Sequence, residues 1–232
     1  MGSTPAGGSK EIARNRSPPR FARRLIYIEF SRQKRIGDFE KRKENFLTPM
    51  KTEIRIAISG SFRKHLQEIG IALTKFKKSN VKVLAPLTQE AISVNDGFVF
   101  LATDNPEKSA DILEKEFMAN IKKADFLYLV NMGGHVGQSA ATEMGVALMN
   151  DIPIVTNEDI ADFSDEIPKT VQELLKKSVF QRLPIGKIDS DKVVALDLPS
   201  FMPYSFSAEE KTLLQSLVEK LLESLKSVKI NS

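Results

Sequence analysis

From Ile54 onward the chain repeats one arrangement: a short apolar run, a turn of small or helix-breaking residues, then a segment with helical spacing. That rhythm constrains the fold more than any other feature. A strand, a helix and a further strand in succession pack back on one another as a crossover in a parallel sheet. Ile54 to Ile58 is isoleucine-rich and ends at Ser59-Gly60-Ser61, after which Phe62 to Lys78 places Leu66, Ile69, Leu73 and Phe76 at helical intervals. Val81 to Leu84, closed by Pro86, reads as a second strand, and Phe98 to Ala102, closed by Thr103-Asp104-Asn105-Pro106, as a third. Ala110 to Lys123 reads as a helix burying Ile112, Leu113, Phe117 and Ile121, with Glu114 and Glu116 beside them. Phe126 to Val130 is continuously apolar, as a central parallel strand covered on both faces is. A loop from Asn131 to Gln138, a helix from Ser139 to Asn150 and a strand from Ile152 to Val155 complete the pattern. The expected fold class is α/β: a Rossmann-like, flavodoxin-like three-layer domain around a central parallel sheet.

Charge divides the chain at the start of this pattern. The first 50 residues hold 12 Lys and Arg against 5 Asp and Glu, which leaves 22 basic and 25 acidic residues for the rest, so the formal +4 originates in the N-terminal segment. Residues 1–49 therefore read as a flexible basic extension and residues 50–232 as the α/β domain with a C-terminal helix. A basic arm can attract a polyanion, but this one carries no nucleic-acid motif and no interleaved aromatic residues, so nucleic acid is not an expected partner beyond the tail itself. No apolar run approaches the roughly 18 residues that cross a bilayer, and no signal peptide is evident, which predicts a soluble, cytoplasmic protein without a membrane partner. With no cysteine and only His65 and His135, neither thiolate chemistry nor a histidine-built metal centre is expected. Ser178 to Ser205 contains Pro184, Pro199 and Pro203 without a period, as a segment that wraps the body or covers the site would. Ser207 to Val228 begins with a capping box, Ser207 to Glu210, and its stripe of Leu213, Leu214, Leu217, Val218, Leu221, Leu222 and Leu225 is expected to pack on the body.

In such a sheet, ligands bind beyond the carboxyl ends of the strands, where helix N-termini present free backbone amides. Two turns are equipped for this. Ser59, Gly60, Ser61 and Phe62 follow the first strand, and their small residues admit a phosphate or a sugar hydroxyl; equally, they form an ordinary strand-to-helix turn. The loop from Asn131 through Gly133, Gly134, His135 and Gly137 to Ser139 holds three glycines and opens directly into a helix. His135 reads as a loop-packing or substrate-edge residue, since no neighbouring carboxylate is evident to orient it. Glu143, one turn beyond Ser139, falls on the flank of a stripe formed by Ala140, Met144, Ala147 and Leu148. There it is expected to be partly desolvated yet kept ionised by the helix start and by the hydroxyls of Ser139 and Thr142. An ionised carboxylate so placed can attack an anomeric carbon; the competing reading is a glutamate that only complements the helix dipole.

The run Gly137-Gln138-Ser139-Ala140-Ala141-Thr142-Glu143-Met144-Gly145-Val146-Ala147, preceded by Ala124-Asp125 and a central strand and followed by Ile152-Pro153-Ile154-Val155, resembles the signature of the nucleoside 2-deoxyribosyltransferase-like superfamily, in an uncharacterised branch. The likeness covers Ile54 to Val155. It implies that Glu143 is the nucleophile displacing a base from the sugar C1′, that Ser139 and the turn from Ser59 to Ser61 contact the sugar or a 5′-phosphate, and that the protein is a homo-oligomer acting on a nucleoside or nucleotide without a cofactor. Transfer to a second base would make it a transferase, transfer to water a hydrolase. Two departures stand out: Ala57 where the family often has an aromatic residue, and Glu114, Glu116 and Phe117 where an aspartate is usual, which leaves Asp104 as the substitute acid. The alternatives are a phosphoribohydrolase of the lysine-decarboxylase-like type, whose paired glycines stand closer to the glutamate, and a non-catalytic nucleotide sensor or interaction module.

Overall fold

The computed structural model describes residues 53–179, 181–196 and 206–230. The reading of residues 1–49 as a basic extension lies outside the described residues. Five strands, β1 (Ile54–Gly60), β2 (Val81–Ala85), β5 (Phe126–Val130), β7 (Ile154–Thr156) and β9 (Gln181–Arg182), form one sheet in the order β2-β1-β5-β7-β9. Every pairing in it is parallel. Counting only these five strands the order is 2-1-3-4-5, the flavodoxin-like arrangement, so the expected α/β fold class is the observed one. Among the described residues six α-helices accompany the sheet: α1 (Phe62–Lys78), α2 (Ala110–Ile121), α3 (Gln138–Met149), α4 (Lys169–Lys176), α5 (Ser190–Val194) and α6 (Ala208–Leu225).

Alternation along the strands divides the core into two layers. Phe126, Tyr128 and Val130 of β5 join Ile56 and Ile58 of β1 and the α1 residues Ile69, Leu73 and Phe76 on one face. Leu127 and Leu129 of β5 join Ala57 and the buried sides of α2, α3, α4 and α6 on the other. Period-two strands between helices on both faces give the three layers. Phe76 meets Tyr128 edge-on at 4.9 Å, and the Tyr128 hydroxyl donates to the Leu183 carbonyl at 2.7 Å. Leu183, Ile188, Val193 and Leu196 are buried on that α1 side of the sheet. The described part of the proline-containing segment thus wraps the body, as one of the two sequence readings had it, and contributes nothing to the wall of the principal cavity described below. Residues 197–205 lie outside the described residues.

The C-terminal helix packs on α3 and α2, with Leu214, Leu217, Val218, Leu221 and Leu225 buried. Its capping box is formed: Glu210 N donates to Ser207 Oγ at 3.1 Å, and Ser207 N donates to Glu210 Oε2 at 2.8 Å. Leu213, placed by spacing in the buried stripe, is exposed.

One expected strand lies elsewhere. Phe98 to Leu101 (β4) does not enter the parallel sheet but pairs antiparallel with Ala91 to Asn95 (β3) across the turn Asp96-Gly97. Both turn residues have positive φ, 46° and 80°, the geometry of a two-residue hairpin turn whose twist matches that of the strands. A second short pair, β6 (His135–Val136) with β8 (Asp162–Phe163), is parallel. Among the described residues no helix is long and apolar enough to cross a membrane.

Candidate functional site

Strand order reverses between β1 and β5: β1 feeds α1 on one face, and the loop after β5 feeds α3 on the other. The loops diverging at such a switch point open a crevice, and here a cavity of about 580 Å³ occupies it. Gly60 to Lys64 supply one wall and Gly137 to Ala140 another, and the hairpin, α2, the end of α6 and the segment after β2 contribute further lining. Neither α1 nor α3 has a side-chain cap or an acidic residue in its first turn, so both present free amides and a partial positive charge at this edge. Gly60 permits the close fit beneath them. Its φ is 153°, and a Cβ there would stand 2.7 Å from the Val130 carbonyl oxygen of the adjacent strand.

Two carboxyl groups converge on the cavity. Glu143, on α3, is 3% exposed, and Glu114, on α2, is 6% exposed; both line the cavity. Glu143 Oε2 and Glu114 Oε1 have no hydrogen-bond partner among the described residues. Burial pushes the Glu143 carboxyl well above the ordinary carboxylate range, and the nearby Glu114 charge pushes it further. The neighbouring Ser59 hydroxyl acts in the opposite direction, although Ser59 Oγ and Glu143 Oε2 do not meet in normal hydrogen-bond geometry. Burial pushes Glu114 up to about 7. Two buried carboxyl groups this close cannot both be charged cheaply, so the pair retains a proton at neutral pH.

That finding corrects the expectation that Glu143 stays ionised through Ser139 and Thr142. The Thr142 hydroxyl is turned back onto its own helix, donating to the Gln138 carbonyl at 2.9 Å, and desolvation outweighs the dipole of the helix start.

Of the other residues selected from sequence, Gly60, Ser61, Phe62, Asp104, His135, Gly137 and Ser139 line the cavity together with Glu143. Ser59 is fully buried beside Glu143 and lies outside the cavity wall. Asn131, Gly133 and Gly134 are not brought to the cavity. The Asn131 amide grips the backbone of Glu158 in both directions, accepting from its N–H at 3.0 Å and donating to its carbonyl at 2.8 Å. Gly134, at φ 75°, packs so tightly that a Cβ would stand 2.6 Å from the Asp159 carbonyl oxygen. The first half of the glycine loop therefore anchors the 158–161 turn, and the second half forms the cavity edge.

His135 does have an orienting carboxylate: Asp162, brought alongside by the β6–β8 pairing, lies 3.1 Å from its Nδ1. Asp104 holds the turn after β4 by accepting from Leu101 N at 2.8 Å; burial raises its pKa, that hydrogen bond lowers it and Glu116 raises it.

Glu114 is the buried cavity residue that the sequence reading passed over as a candidate for proton chemistry. Ala110, Leu113, Glu114, Met118 and Ile121 are buried on α2, and Phe117 packs against the same core, whereas Ile112 is exposed. These positions fall at i, i+3, i+4, i+7, i+8 and i+11, the spacing of one buried helix face. A stripe phased on Ile112 left Glu114 at its margin; phased on Ala110, it places a carboxylate in the core, which is the signal that could have found it. Aromatic side chains complete the lining, with Phe62 and Phe117 edge-to-face at 6.4 Å and Phe98 from the hairpin. Among the described residues no group of three or more His, Cys, Asp or Glu is arranged to hold a metal ion. No family model and no curated protein sequence matches the chain.

Proposed function

We propose that the protein cleaves the N-glycosidic bond of a nucleoside or nucleotide, with Glu143 as nucleophile and water or a second base as acceptor. The observation that carries this reading is the buried Glu143 and Glu114 pair facing one cavity at the switch point of the sheet. A carboxylate nucleophile and a neighbouring protonated carboxyl group are what displacement at an anomeric carbon requires. In the first step a Glu143 oxygen bonds to C1′ as the C1′–N bond breaks, and the Glu114 proton passes to the departing base. In the second, the acceptor attacks C1′ and its proton returns to Glu114, freeing Glu143. The pair's retained proton must reside on Glu114 for the first step, a distribution favoured when Ser59 and sugar hydroxyls donate to Glu143. Aromatic side chains at Phe62, Phe98 and Phe117 suit a planar base, and the uncapped starts of α1 and α3 suit oxygen-rich parts of the substrate. This places Glu114, rather than Asp104, in the role of proton donor. The family resemblance extends the proposal to a cytoplasmic homo-oligomer.

Because the reaction needs the pair to hold one proton, its rate is expected to fall in acid, as pH drops below about 7 and both carboxyl groups become neutral, and to fall again at higher pH as the second proton leaves the pair. Incubation with deoxynucleosides and their 5′-monophosphates, followed by chromatography for free base, tests the reading. Base released by the wild type and not by Glu143→Ala supports it. Thermal stabilisation by these compounds without release assigns the cavity to binding alone.

A further inference from the structure

We infer that the cavity face of α2 is a base-recognition surface proportioned for a two-ring, purine-type base, with Asn120 as the residue that reads its far edge. This rests on the proposed roles of Glu143 and Glu114. If Glu143 takes C1′, the base nitrogen bonded to C1′ must point toward Glu114, and the rest of the base extends from there. Three residues of α2 at intervals of three, Glu114, Phe117 and Asn120, all line the cavity. They present in order an acid, an aromatic ring and an amide. Phe62 meets Phe117 edge-on and extends the aromatic wall. Asn120 is partly exposed toward the cavity, and its side-chain amide has no hydrogen-bond partner among the described residues.

Six residues of helix separate Glu114 from Asn120, a rise of about 9 Å. A single ring in contact with Glu114 leaves the Asn120 amide without a partner, whereas a fused two-ring base spans both groups. An amide offers a donor and an acceptor side by side, which suits the paired donor and acceptor on the outer edge of a purine. Such a group discriminates because an amide enclosed between the helix and the wrong base loses its partner, at a cost tempered here by the partial exposure of Asn120.

The test is calorimetric binding of a purine 2′-deoxynucleoside, a pyrimidine 2′-deoxynucleoside and free 2-deoxyribose to full-length Glu143→Gln, alone and combined with Asn120→Ala. The purine is expected to bind about 10-fold tighter than the pyrimidine, and Asn120→Ala to erase most of that preference while leaving pyrimidine and sugar binding unchanged. Equal affinities for the two bases would overturn the inference, as would an Asn120→Ala loss shared equally by both, or no binding of either. A melting curve of the double variant matching its parent shows that the change is local. Purine-selective binding without base release by the wild type would uphold this inference and defeat the hydrolytic reading; release indifferent to the base would do the reverse.

Discussion

Helices α2 and α3 each deliver one buried carboxyl group to the same cavity, and they are built to different specifications. From Ala140 to Leu148 every residue of α3 is buried, so Glu143 sits on a helix packed on all sides, beside the fully buried Ser59. Helix α2 is two-faced: Glu114 stands on its buried side while Ile112 and Lys115 are exposed on the other. A group fixed on all sides suits bond formation at a defined carbon, where a small misplacement is costly. A group on the buried side of a two-faced helix, with burial raising its pKa to about 7, suits taking and returning a proton near neutral pH. On the proposed reaction, the difference between the helices would separate nucleophile from proton carrier, although both side chains are glutamate.

The sharpest way to break that division is to remove each group in turn. Glu143→Gln keeps the shape and deletes the nucleophile; base release is expected to fall by about 10⁴-fold or more, measured in single-turnover assays. Glu114→Gln should cost less, about 10² to 10⁴-fold, and least for substrates whose base leaves without protonation. Equal losses on good and poor leaving groups would remove Glu114 from proton transfer.

Stability should move in the opposite direction from activity. Glu114 has a folded-state pKa of about 7 against an ordinary 4.5, so the folded protein binds this proton more tightly than the unfolded chain. The stability associated with the neutral carboxyl is fully present below about 4.5 and is lost as pH rises through about 7. Glu114→Gln, which cannot ionise, is therefore expected to be more stable than the wild type at pH 8 by up to about 3 kcal/mol, the advantage disappearing near pH 4. Melting temperatures of the two proteins across that range give the comparison.

The smallest effect separates the halves of the glycine loop. Gly133→Ala and Gly134→Ala both place a Cβ at positive φ, costing about 1 kcal/mol. Only Gly134 also meets the Asp159 carbonyl oxygen and Ala161, so its substitution should be the more destabilising by roughly 1 to 3 kcal/mol in denaturant unfolding. A loss of base release in Gly133→Ala out of proportion to that small loss of stability would return that glycine to the substrate.

What the sequence made legible follows from which signals are local. The parallel sheet was readable because β5 is a continuous apolar run and β1, α1 and β2 are separated by unambiguous turns. The hairpin was not, since attention to the apolar Phe98 to Leu101 run hid the Asp96-Gly97 turn and the alternating Ile92 and Val94 before it, which are exposed. In the glycine loop, Gly134 and Asn131 look like ligand-binding residues, but their partners, Asp159 and Glu158, lie more than 20 positions away, and only tertiary structure shows them already engaged. Glu143 was found because a motif surrounds it. Glu114 has no motif, and its meaning rests on the phase of one helix, a shift of a single residue being enough to move it from the margin to the core.

Trapping the sugar on the protein tests the central claim most directly. A nucleoside carrying fluorine at C2′ of its sugar slows hydrolysis of a glycosyl ester by disfavouring the oxocarbenium-like transition state. After mixing it with the full-length chain and quenching, intact mass and peptide mapping should show one sugar per chain, attached to Glu143, with a matching burst of free base. A sugar attached to Glu114 or any other residue, or steady release of base with the protein unmodified, would contradict the account.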